Sequence, residues 1–501
     1  MKRTVLLACI FIITAVFGQI ITAVFGQRRP TSDVESHIHH VEAALLPAVV
    51  VKGEPPAAVP LAERMQRLHV PGISVALIHD GHIEWARGFG ETRIDGPPVT
   101  TETLFQAGSI SKPVAAMAAL KLVEMGKLSL DADVNSYLTS WKVPENEFTR
   151  QHIVTLREIL THTAGFTVHG FPGYAAGDPV PTLVQVINGD KPANTAPIRV
   201  DVVPGTIERY SGGGFTVMQQ MMIDVTHKPF PQIMQELVLK PLGMTHSTYA
   251  QPLPAELRKN TATPYYPALK PVPGGPHTYP EMAAAGLWTT ASDLATFAIS
   301  VQEGLEGKRN PVLSQAMMRQ MVSRQFHDEG LSWGVRGEGN TVSFSHGGVD
   351  EGFDAFLFAY ASTGDGAAIM TNANGGMLVA TEVLRAIAHE YGWPDYQPEQ
   401  RAVVAVDERT LRSYIGTYAL PEDAKIEFTL HVGKLRVEGE PAISSPVDLE
   451  AGSDSRFFTP VTGAWFEFTP GKNGTMTLTI KTSSGEVKGE RVASKAAVPQ
   501  Q

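Results

Sequence analysis

Ser109 and Lys112 stand three residues apart at the start of an apolar run, "FQAGSISKPVAAMAALKLVEMGKLSL". Residues i and i+3 are neighbours on a helix, so the Lys112 amine can reach the Ser109 hydroxyl if this run is helical. Burial lowers the pKa of a lysine, and a neutral amine beside a serine can accept the hydroxyl proton. The pair therefore predicts an activated nucleophile. The alternative for so short a pattern is that Ser109 only caps the helix while Lys112 extends to solvent.

The residues after Lys112 predict a helix that is buried on all sides. Apolar residues recur at helical spacing, at Val114, Met117, Leu120 and Val123, with alanines between them. This pattern leaves no polar face, which is typical of a helix at the centre of its domain. Pro113 is compatible with a first helical turn, so the helix is expected to begin close to Ser109.

Several motifs in a fixed order carry a family resemblance. "GSISKP" after "LFQA", together with the upstream "VPGISVALIHDG", resembles the serine β-lactamase and penicillin-binding protein superfamily. It is most similar to the class C β-lactamase-like branch, which includes esterases and D-amino-acid peptidases, over about Leu61 to Tyr391. The resemblance implies an α+β fold of the β-lactamase/transpeptidase type, with an antiparallel sheet flanked by helices and an all-helical subdomain. It also implies catalytic roles for Ser109 and Lys112.

The second motif of this superfamily is Tyr-x-Asn, and "PGTIERYSGGGF" places Tyr210 at its start. By resemblance, Tyr210 is the phenol that exchanges protons with Ser109 and the leaving group. Gly212 stands where the family often has the asparagine, and glycine cannot donate a side-chain hydrogen bond to a β-lactam. This difference argues against antibiotic turnover. The alternative for Tyr210 is a buried tyrosine next to the helix that begins near Gly213.

The third motif is Lys-Thr-Gly in true β-lactamases, and "SFSHGGVDEGF" supplies His346, Gly347 and Gly348 instead. His-x-Gly resembles the esterase and peptidase relatives. Gly348 would let an edge strand approach the substrate closely. The backbone N–H of Val349, with that of Ser109, would form the oxyanion hole. His346 would face the substrate acyl or carboxylate group, although a lone histidine is more often an ordinary sheet residue.

Two further stretches support the resemblance without obvious chemistry. "ILTHTAGF" is similar to the helix and turn before the active-site loop, and "EMAAAGLWTTASDLATF" is similar to a Gly-Leu turn that leads into a helix. Within them, His162 and Trp288 are predicted to be packing residues.

Strand patterns lie on both sides of the helical region. "VPGISVALIHDGHIEWARGFG" predicts a hairpin with a two-residue turn at Asp80-Gly81. After the helical region, "LSWGVRGEGNTVSFSHGG", "EGFDAFLFAY" and "AAIMTNANGG" predict strands, and a helix is predicted from Met377 to Tyr391. Strands, a helical insert and strands again predict one sheet that is completed by distant parts of the chain.

The segments outside the hydrolase region predict export and an additional domain. The start of the chain has basic residues followed by an apolar run from Thr4 to Gly26, which is typical of a secretion signal or an uncleaved membrane anchor. Beyond the catalytic region, short alternating strands that open with "LRSYIGTYAL" resemble a lipocalin-like domain. The predicted division is 1–27 signal peptide or anchor, 28–60 N-terminal segment and linker, 61–395 hydrolase, 396–407 linker, 408–492 small antiparallel β-barrel-like domain and 493–501 tail.

Composition excludes several classes of function. The 501-residue chain has a formal net charge of −10 and no concentrated basic stretch, so no nucleic-acid partner is expected. The only cysteine, Cys9, lies in the predicted signal, so the exported protein is expected to have no disulfide. The spacing of "HIHH" fits no closed metal site, and Walker, dinucleotide and H-E-x-x-H motifs are absent. Neither a metal nor an organic cofactor is expected.

These observations predict a secreted or periplasmic serine hydrolase, or a membrane-anchored one that faces outside the cytoplasm. It would act through an acyl-enzyme on small esters or on D-amino-acid-containing peptides and amides. A β-lactamase or DD-peptidase is the alternative enzyme. A non-catalytic penicillin- or peptide-binding receptor is the alternative of another class. The expected partner is a small-molecule ester, amide or peptide, and a homo-oligomer is possible.

Overall fold

Two large sheets, with helices around the first, dominate the architecture of the computed structural model, and three two-stranded sheets accompany them among the described residues. The structure describes residues 32–308, 310–421, 424–439, 443–471, 475–482 and 485–492. The predicted signal 1–27, with Cys9, and the tail 493–501 lie outside these residues. Within the part of the chain that the structure describes, no helix is long and apolar enough to span a bilayer.

The strands are β1 Val49–Val51, β2 Gly72–His79, β3 His82–Gly90, β4 Phe105–Gln106, β5 Tyr265–Tyr266, β6 Lys270–Pro271, β7 Trp288–Thr289, β8 Gly334–Arg336, β9 Ser343–Asp350, β10 Phe353–Tyr360, β11 Gly366–Thr371, β12 Glu399–Arg401, β13 Gly416–Ala419, β14 Lys425–His431, β15 Lys434–Gly439, β16 Ile443–Asp448, β17 Glu450–Ala451, β18 Arg456–Phe458, β19 Trp465–Pro470, β20 Met476–Thr482 and β21 Gly485–Arg491. The α-helices are α1 Ser32–Ala43, α2 Leu61–Arg67, α3 Ser111–Glu124, α4 Leu156–Leu160, α5 Leu183–Asn188, α6 Gly212–Thr226, α7 Phe230–Met234, α8 Lys240–Leu242, α9 Met282–Ala285, α10 Ala291–Glu306, α11 Gln315–Val322, α12 Gly376–Glu390 and α13 Glu408–Ser413. Short 3₁₀ turns occur at Gly108–Ile110, Val134–Ser136, Arg258–Asn260, Pro267–Leu269 and Gly339–Thr341, and a π-helical turn at Gln235–Leu239.

The first sheet is antiparallel, with the order β3-β2-β11-β10-β9-β8. β2 pairs with β11, so a strand from the start of the chain completes a sheet built mainly from later strands. The β2–β3 hairpin is closed by Asp80 and Gly81, both at positive φ, as a two-residue turn of this kind requires. These features confirm the predicted hairpin and the single sheet.

Helices cover both faces of this sheet because its central strands are apolar on both sides. Ala76 and Ile78 of β2 belong to one apolar core, whereas Val75 and Leu77 belong to the other. The first core contains α3, α6 and α10, and the second contains residues of α1, α2 and α12. This arrangement confirms the α+β class, with helices on both sides of an antiparallel sheet.

The helix α3 is the centre of the helical part of the molecule. Ser111 to Leu120 are buried without interruption, as the apolar sequence predicts. The chain enters α3 through the 3₁₀ turn Gly108–Ile110, so the helical geometry begins next to Ser109. α3 contacts α6, α7 and α9, which together form the predicted all-helical subdomain.

The second sheet contains nine antiparallel strands among the described residues, in the order β16-β15-β14-β13-β21-β20-β19-β18-β17. Its edge strands, β16 and β17, are separated in sequence only by Leu449, so the sheet is nearly closed. Its interior is filled by packed side chains, including Tyr418, Phe428, Phe466 and Phe468. This is the predicted small antiparallel β-barrel-like structure.

The segment 28–60, predicted to be an N-terminal segment and linker, and the predicted linker 396–407 contribute paired strands. β1, from the segment 28–60, pairs in parallel with β12, from the segment 396–407. The Val49 N–H also donates to the Pro460 carbonyl at 2.9 Å, in the loop before β19. These contacts connect the N-terminal segment to the barrel-like sheet.

Candidate active site

Ser109 lies in the 3₁₀ turn that leads into α3, and Lys112 follows on the first helical turn. The Lys112 Nζ is 2.8 Å from the Ser109 Oγ, and it donates a second hydrogen bond to the Ala284 carbonyl at 2.9 Å. Lys112 is only 2% exposed, whereas Ser109 is half-buried. The amine therefore does not extend to solvent, and the hydroxyl remains accessible.

The surroundings of Lys112 favour its neutral form. Burial lowers the pKa of Lys112 from 10.5 to about 7, and the nearby Asp350 carboxyl opposes this shift. A large fraction of the amine is then unprotonated near neutral pH. A neutral amine at this distance can accept the proton of the Ser109 hydroxyl.

Tyr210 reaches the same place from the segment that precedes α6. Ser211 is the N-cap of that helix, and its Oγ accepts the Gly214 N–H at 3.0 Å. The Lys112 Nζ lies 4.8 Å from the centroid of the Tyr210 ring. Burial raises the pKa of Tyr210, and a hydrogen bond with Ser109 opposes the shift, so Tyr210 is a neutral phenol in the free protein.

The strand β9 lies directly against the turn that carries Ser109. A Cβ on Gly348 would stand 1.9 Å from the Ala107 carbonyl oxygen and 3.2 Å from the Ser109 nitrogen. A Cβ on Gly108, which has φ +51°, would stand 2.4 Å from the Val349 nitrogen. The two glycines therefore allow the backbone amides of Ser109 and Val349 to approach each other closely. β8 pairs with β9 at Ser343 to Ser345, and no other strand among the residues that the structure describes pairs with the rest of this edge of β9.

His346 lies on β9 before this contact and is half-buried. Its Nδ1 is 2.6 Å from the Gly347 carbonyl oxygen, and its ring centroid is 6.3 Å from that of Tyr210. Burial and the Lys112 charge lower the pKa of His346 to about 4. The imidazole is therefore neutral at neutral pH and places no positive charge at the site.

Gly212 is buried and its surroundings leave little room for a side chain. A Cβ at this position would lie 3.0 Å from the His169 carbonyl oxygen and 3.0 Å from the Phe171 ring. The Gly212 N–H donates to the same carbonyl at 2.9 Å. The loop 169–171 thus covers the position where related sequences often have an asparagine.

Three functional candidates were not identified from the sequence. His162, predicted to be a packing residue, lies against Tyr210 in a tilted arrangement with ring centroids 4.2 Å apart. Asp350 is a buried carboxyl near Lys112, and Glu281 is a buried carboxyl near Tyr279. Burial raises the pKa of both, and that of Glu281 reaches about 8. The sequence offers only a weak indication of these three residues, because each is a single polar residue within an apolar or glycine-rich stretch. Trp288 is buried in β7, as expected for a packing residue.

No group of three or more histidine, cysteine or acidic side chains is arranged to hold a metal ion within the described ranges. In the "HIHH" stretch, the Nδ1 atoms of His37 and His40 lie 2.7 and 2.9 Å from one Glu390 oxygen. These contacts connect α1 to α12.

Comparison with known families gives a match to the region that contains the site. The model of the family described as Beta-lactamase matches residues 61–391 of this chain. The matched region contains Ser109, Lys112, Tyr210 and the β9 residues, and it agrees with the region of resemblance in the sequence.

Two curated relatives and one solved structure are similar to this chain. Penicillin-binding protein 4 of Amycolatopsis lactamdurans is 26% identical over 339 residues, which are 64% of this chain and 86% of the relative. The unguisins hydrolase of Aspergillus campestris is 27% identical over 339 residues, which are 62% of this chain and only 60% of the hydrolase. The octameric penicillin-binding protein homologue from Pyrococcus abyssi has a TM-score of 0.58 and 22% identity, and the match covers 85% of this chain and 98% of that chain. The last comparison concerns the fold.

Proposed function

This chain belongs to the Beta-lactamase family and is a serine hydrolase-type enzyme of the β-lactamase/transpeptidase fold, and we propose that it hydrolyses small esters through an acyl-enzyme on Ser109. D-Amino-acid peptides and amides are the second substrate class in the proposal. The observation that carries it is the 2.8 Å contact between the Ser109 Oγ and a buried lysine amine. The pair has the geometry and the protonation state that nucleophilic catalysis needs.

In the proposed mechanism, the Ser109 Oγ attacks the substrate carbonyl while the neutral Lys112 amine takes the hydroxyl proton. The Tyr210 phenol donates its proton to the leaving alkoxide or amine, and the Lys112 ammonium returns a proton to the Tyr210 oxygen. Lys112 is then neutral again, and the acyl group remains on Ser109. A water molecule then attacks the carbonyl of the acyl-Ser109 ester and gives one proton to the Lys112 amine. The bond between the acyl carbon and the Ser109 oxygen breaks, the acid leaves with the other proton of the water, and the Lys112 ammonium returns its proton to the Ser109 oxygen.

The oxyanion that forms during attack would be stabilised by backbone amides. The N–H groups of Ser109 and Val349 are the proposed donors, because the Gly348 contact brings these two segments of backbone together. Donors of this kind stabilise charge that develops only in the transition state.

The charges near the site support substrates without a carboxylate. His346 stands where β-lactamases have a lysine, and burial lowers its pKa to about 4, so it is neutral. Burial raises the pKa of Asp350, near Lys112, and raises that of Glu329, near Tyr210, to about 7, so these carboxyls also supply no positive charge for a substrate carboxylate. Gly212 offers no amide side chain, and loop 169–171 covers its position. Penicillins, cephalosporins and the C-terminus of cell-wall peptides carry a carboxylate, which such a site would bind weakly.

The proposal is tested by comparing three substrates with the wild type and Ser109→Ala. The substrates are a short-chain p-nitrophenyl ester, a D-alanine p-nitroanilide and a chromogenic cephalosporin. We expect Ser109-dependent hydrolysis of the ester, slower hydrolysis of the anilide and little cephalosporin turnover.

Fast cephalosporin turnover would instead support the alternative β-lactamase or DD-peptidase assignment. If none of the substrates is cleaved and no acyl adduct forms, the protein is better described as a receptor. Both results would contradict the proposed ester hydrolase.

We also propose that the protein is secreted or periplasmic, on the basis of the basic and apolar start of the sequence. The residues 408–492 are proposed to form a lipocalin-like domain. We also propose that the protein forms a homo-oligomer. Sequencing the N-terminus of the protein recovered outside the cytoplasm tests the export proposal. A protein that retains Met1 in the cytoplasm would contradict it.

A further inference from the structure

We propose that His162 is a positioning residue that fixes the Tyr210 phenol for proton transfer. The inference rests on the proposed function of Tyr210. It assigns a role to a histidine whose sequence context predicts only packing.

His162 holds the backbone on both sides of Tyr210. Its carbonyl oxygen accepts the N–H of Arg209 at 2.8 Å. Its imidazole Nδ1 accepts the N–H of Ser211 at 3.1 Å. One residue therefore restrains the peptide unit between Tyr210 and Ser211 and the unit between Glu208 and Arg209, one residue before Tyr210.

The imidazole also restrains the phenol ring itself. The ring centroids of His162 and Tyr210 are 4.2 Å apart, with an angle of 31° between the planes. The Lys112 Nζ is 4.8 Å from the same Tyr210 ring. Contacts from an imidazole and from an amine thus limit how far the phenol can turn.

The protonation state of His162 agrees with this role. Nδ1 must be unprotonated to accept the Ser211 N–H, so the ring proton lies on Nε2. Burial holds the pKa of His162 well below its usual value, and the Lys112 charge adds to this effect. The neutral ring is 5% exposed, and its Nε2 has no hydrogen-bond partner among the residues described.

The segment that carries His162 is firmly held. α4 begins with a capping box between Thr155 and Glu158, and the Leu160 carbonyl accepts the Ser332 N–H at 2.7 Å. His162 itself has φ +57°, a conformation that asparagine tolerates better than alanine. The position of Tyr210 is thus set by a residue 48 places earlier in the chain.

The test is a double-mutant cycle between His162→Ala and Tyr210→Phe, measured as ester hydrolysis. We expect His162→Ala to lower kcat by about 10- to 100-fold, since a misplacement of about 1 Å can cost about 10²-fold, with KM changed by less than about threefold. In the Tyr210→Phe background, the same change should lower kcat by less than about threefold, because the phenol that His162 positions is already absent.

Two further variants separate positioning from a general loss of structure. His162→Asn keeps an acceptor for the Ser211 N–H and suits positive φ, so it should retain kcat within about fivefold of the wild type. The matched control is His227→Ala, because His227 is an exposed histidine with φ +54° at the end of α6. This control should have the kcat of the wild type.

Equal losses in both Tyr210 backgrounds, or no loss from His162→Ala in the wild-type background, would overturn the positioning role alone. A wild-type protein without Ser109-dependent turnover would overturn the proposed function and this inference together. The wild type and Ser109→Ala measured in the same series distinguish the two failures.

Discussion

Lys112 combines burial with few compensating charges, and this combination gives it a chemical role. Its amine bonds to a hydroxyl and a carbonyl, neither of which is charged, and burial lowers its pKa to about 7. A surface lysine with an ordinary pKa could not act as a base at neutral pH. Burial of the first turn of α3 therefore makes Lys112 able to accept the serine proton, a role that an adjacent histidine has in other serine hydrolases.

This pKa predicts the pH dependence of the reaction. The protonated amine cannot accept the Ser109 proton, so kcat/KM for ester hydrolysis should rise with pH through a midpoint at about 7 and level off roughly one pH unit above it. His346, with its pKa lowered to about 4, should add no second step between pH 5 and 8. A pH–rate profile checks both points.

A matched variant identifies the titrating group. Lys112→Arg keeps the side chain protonated at all accessible pH values, so it should lower kcat by about 10²- to 10⁴-fold. A wild-type profile that is flat from pH 5.5 to 8.5 would contradict the assignment of Lys112 as the base.

At the scale of secondary structure, the site depends on the contact between β9 and the turn before α3. Gly348→Ala would place a methyl group 1.9 Å from the Ala107 carbonyl, so the strand and the turn must separate. We expect the free energy of unfolding to fall by about 1–3 kcal/mol. The activity should fall by about 10²-fold or more, because the two backbone donors no longer converge. Denaturant unfolding and ester kinetics measure these effects.

The neighbouring glycine provides the control for stability. A Cβ on Gly347 would meet its nearest atoms, in Met377 and Phe356, only at 3.6 and 3.8 Å. Gly347→Ala should therefore change the free energy of unfolding by about 1 kcal/mol or less. Equal losses of stability in the two variants would show that the close approach of β9 is not what Gly348 provides.

The sequence predicts local elements better than their contacts. The β2–β3 hairpin and the buried helix α3 follow from turn chemistry and from periodicity, so both were predictable. The ring contact between His162 and Tyr210 was not predictable, because it depends on the packing of two loops against each other, which no local pattern encodes. The burial of Asp350 and Glu281 also results from tertiary packing, which overrides the usual exposure of acidic residues.

At the scale of the whole molecule, residues far apart in sequence join the hydrolase region to the barrel-like sheet. β1 and β12 pair although about 350 residues separate them, a contact that linker-like composition did not predict. Arg385 donates to the Leu46 carbonyl at 3.3 Å and to the Val461 carbonyl at 3.5 Å. Arg401 donates to the Gly463 carbonyl at 2.8 Å, and its guanidinium lies 4.4 Å from the Trp465 ring centroid.

Arg401→Ala should weaken this connection. It removes the hydrogen bond to Gly463, the cation–π contacts with Trp465 and Phe458 and an ion pair with Glu399. The hydrogen bond and the cation–π contacts together contribute about 1–3 kcal/mol. The segment 402–406 has no helix or strand, so we expect faster cleavage there in limited proteolysis. The matched control is Arg412→Ala, which removes only an exposed pair with Glu408 on α13. Equal cleavage rates in the two variants would contradict a docking role for Arg401.

The central claim is that Ser109 is the nucleophile, and the most direct test is to trap the acyl-enzyme. The wild type is mixed with a p-nitrophenyl ester, quenched in acid within the first turnovers and analysed by peptide mass spectrometry. We expect the acyl group on the peptide that contains Ser109, at the Ser109 oxygen, and no adduct in Ser109→Ala. An acyl group on another residue, or ester turnover that survives in Ser109→Ala, would contradict the mechanism.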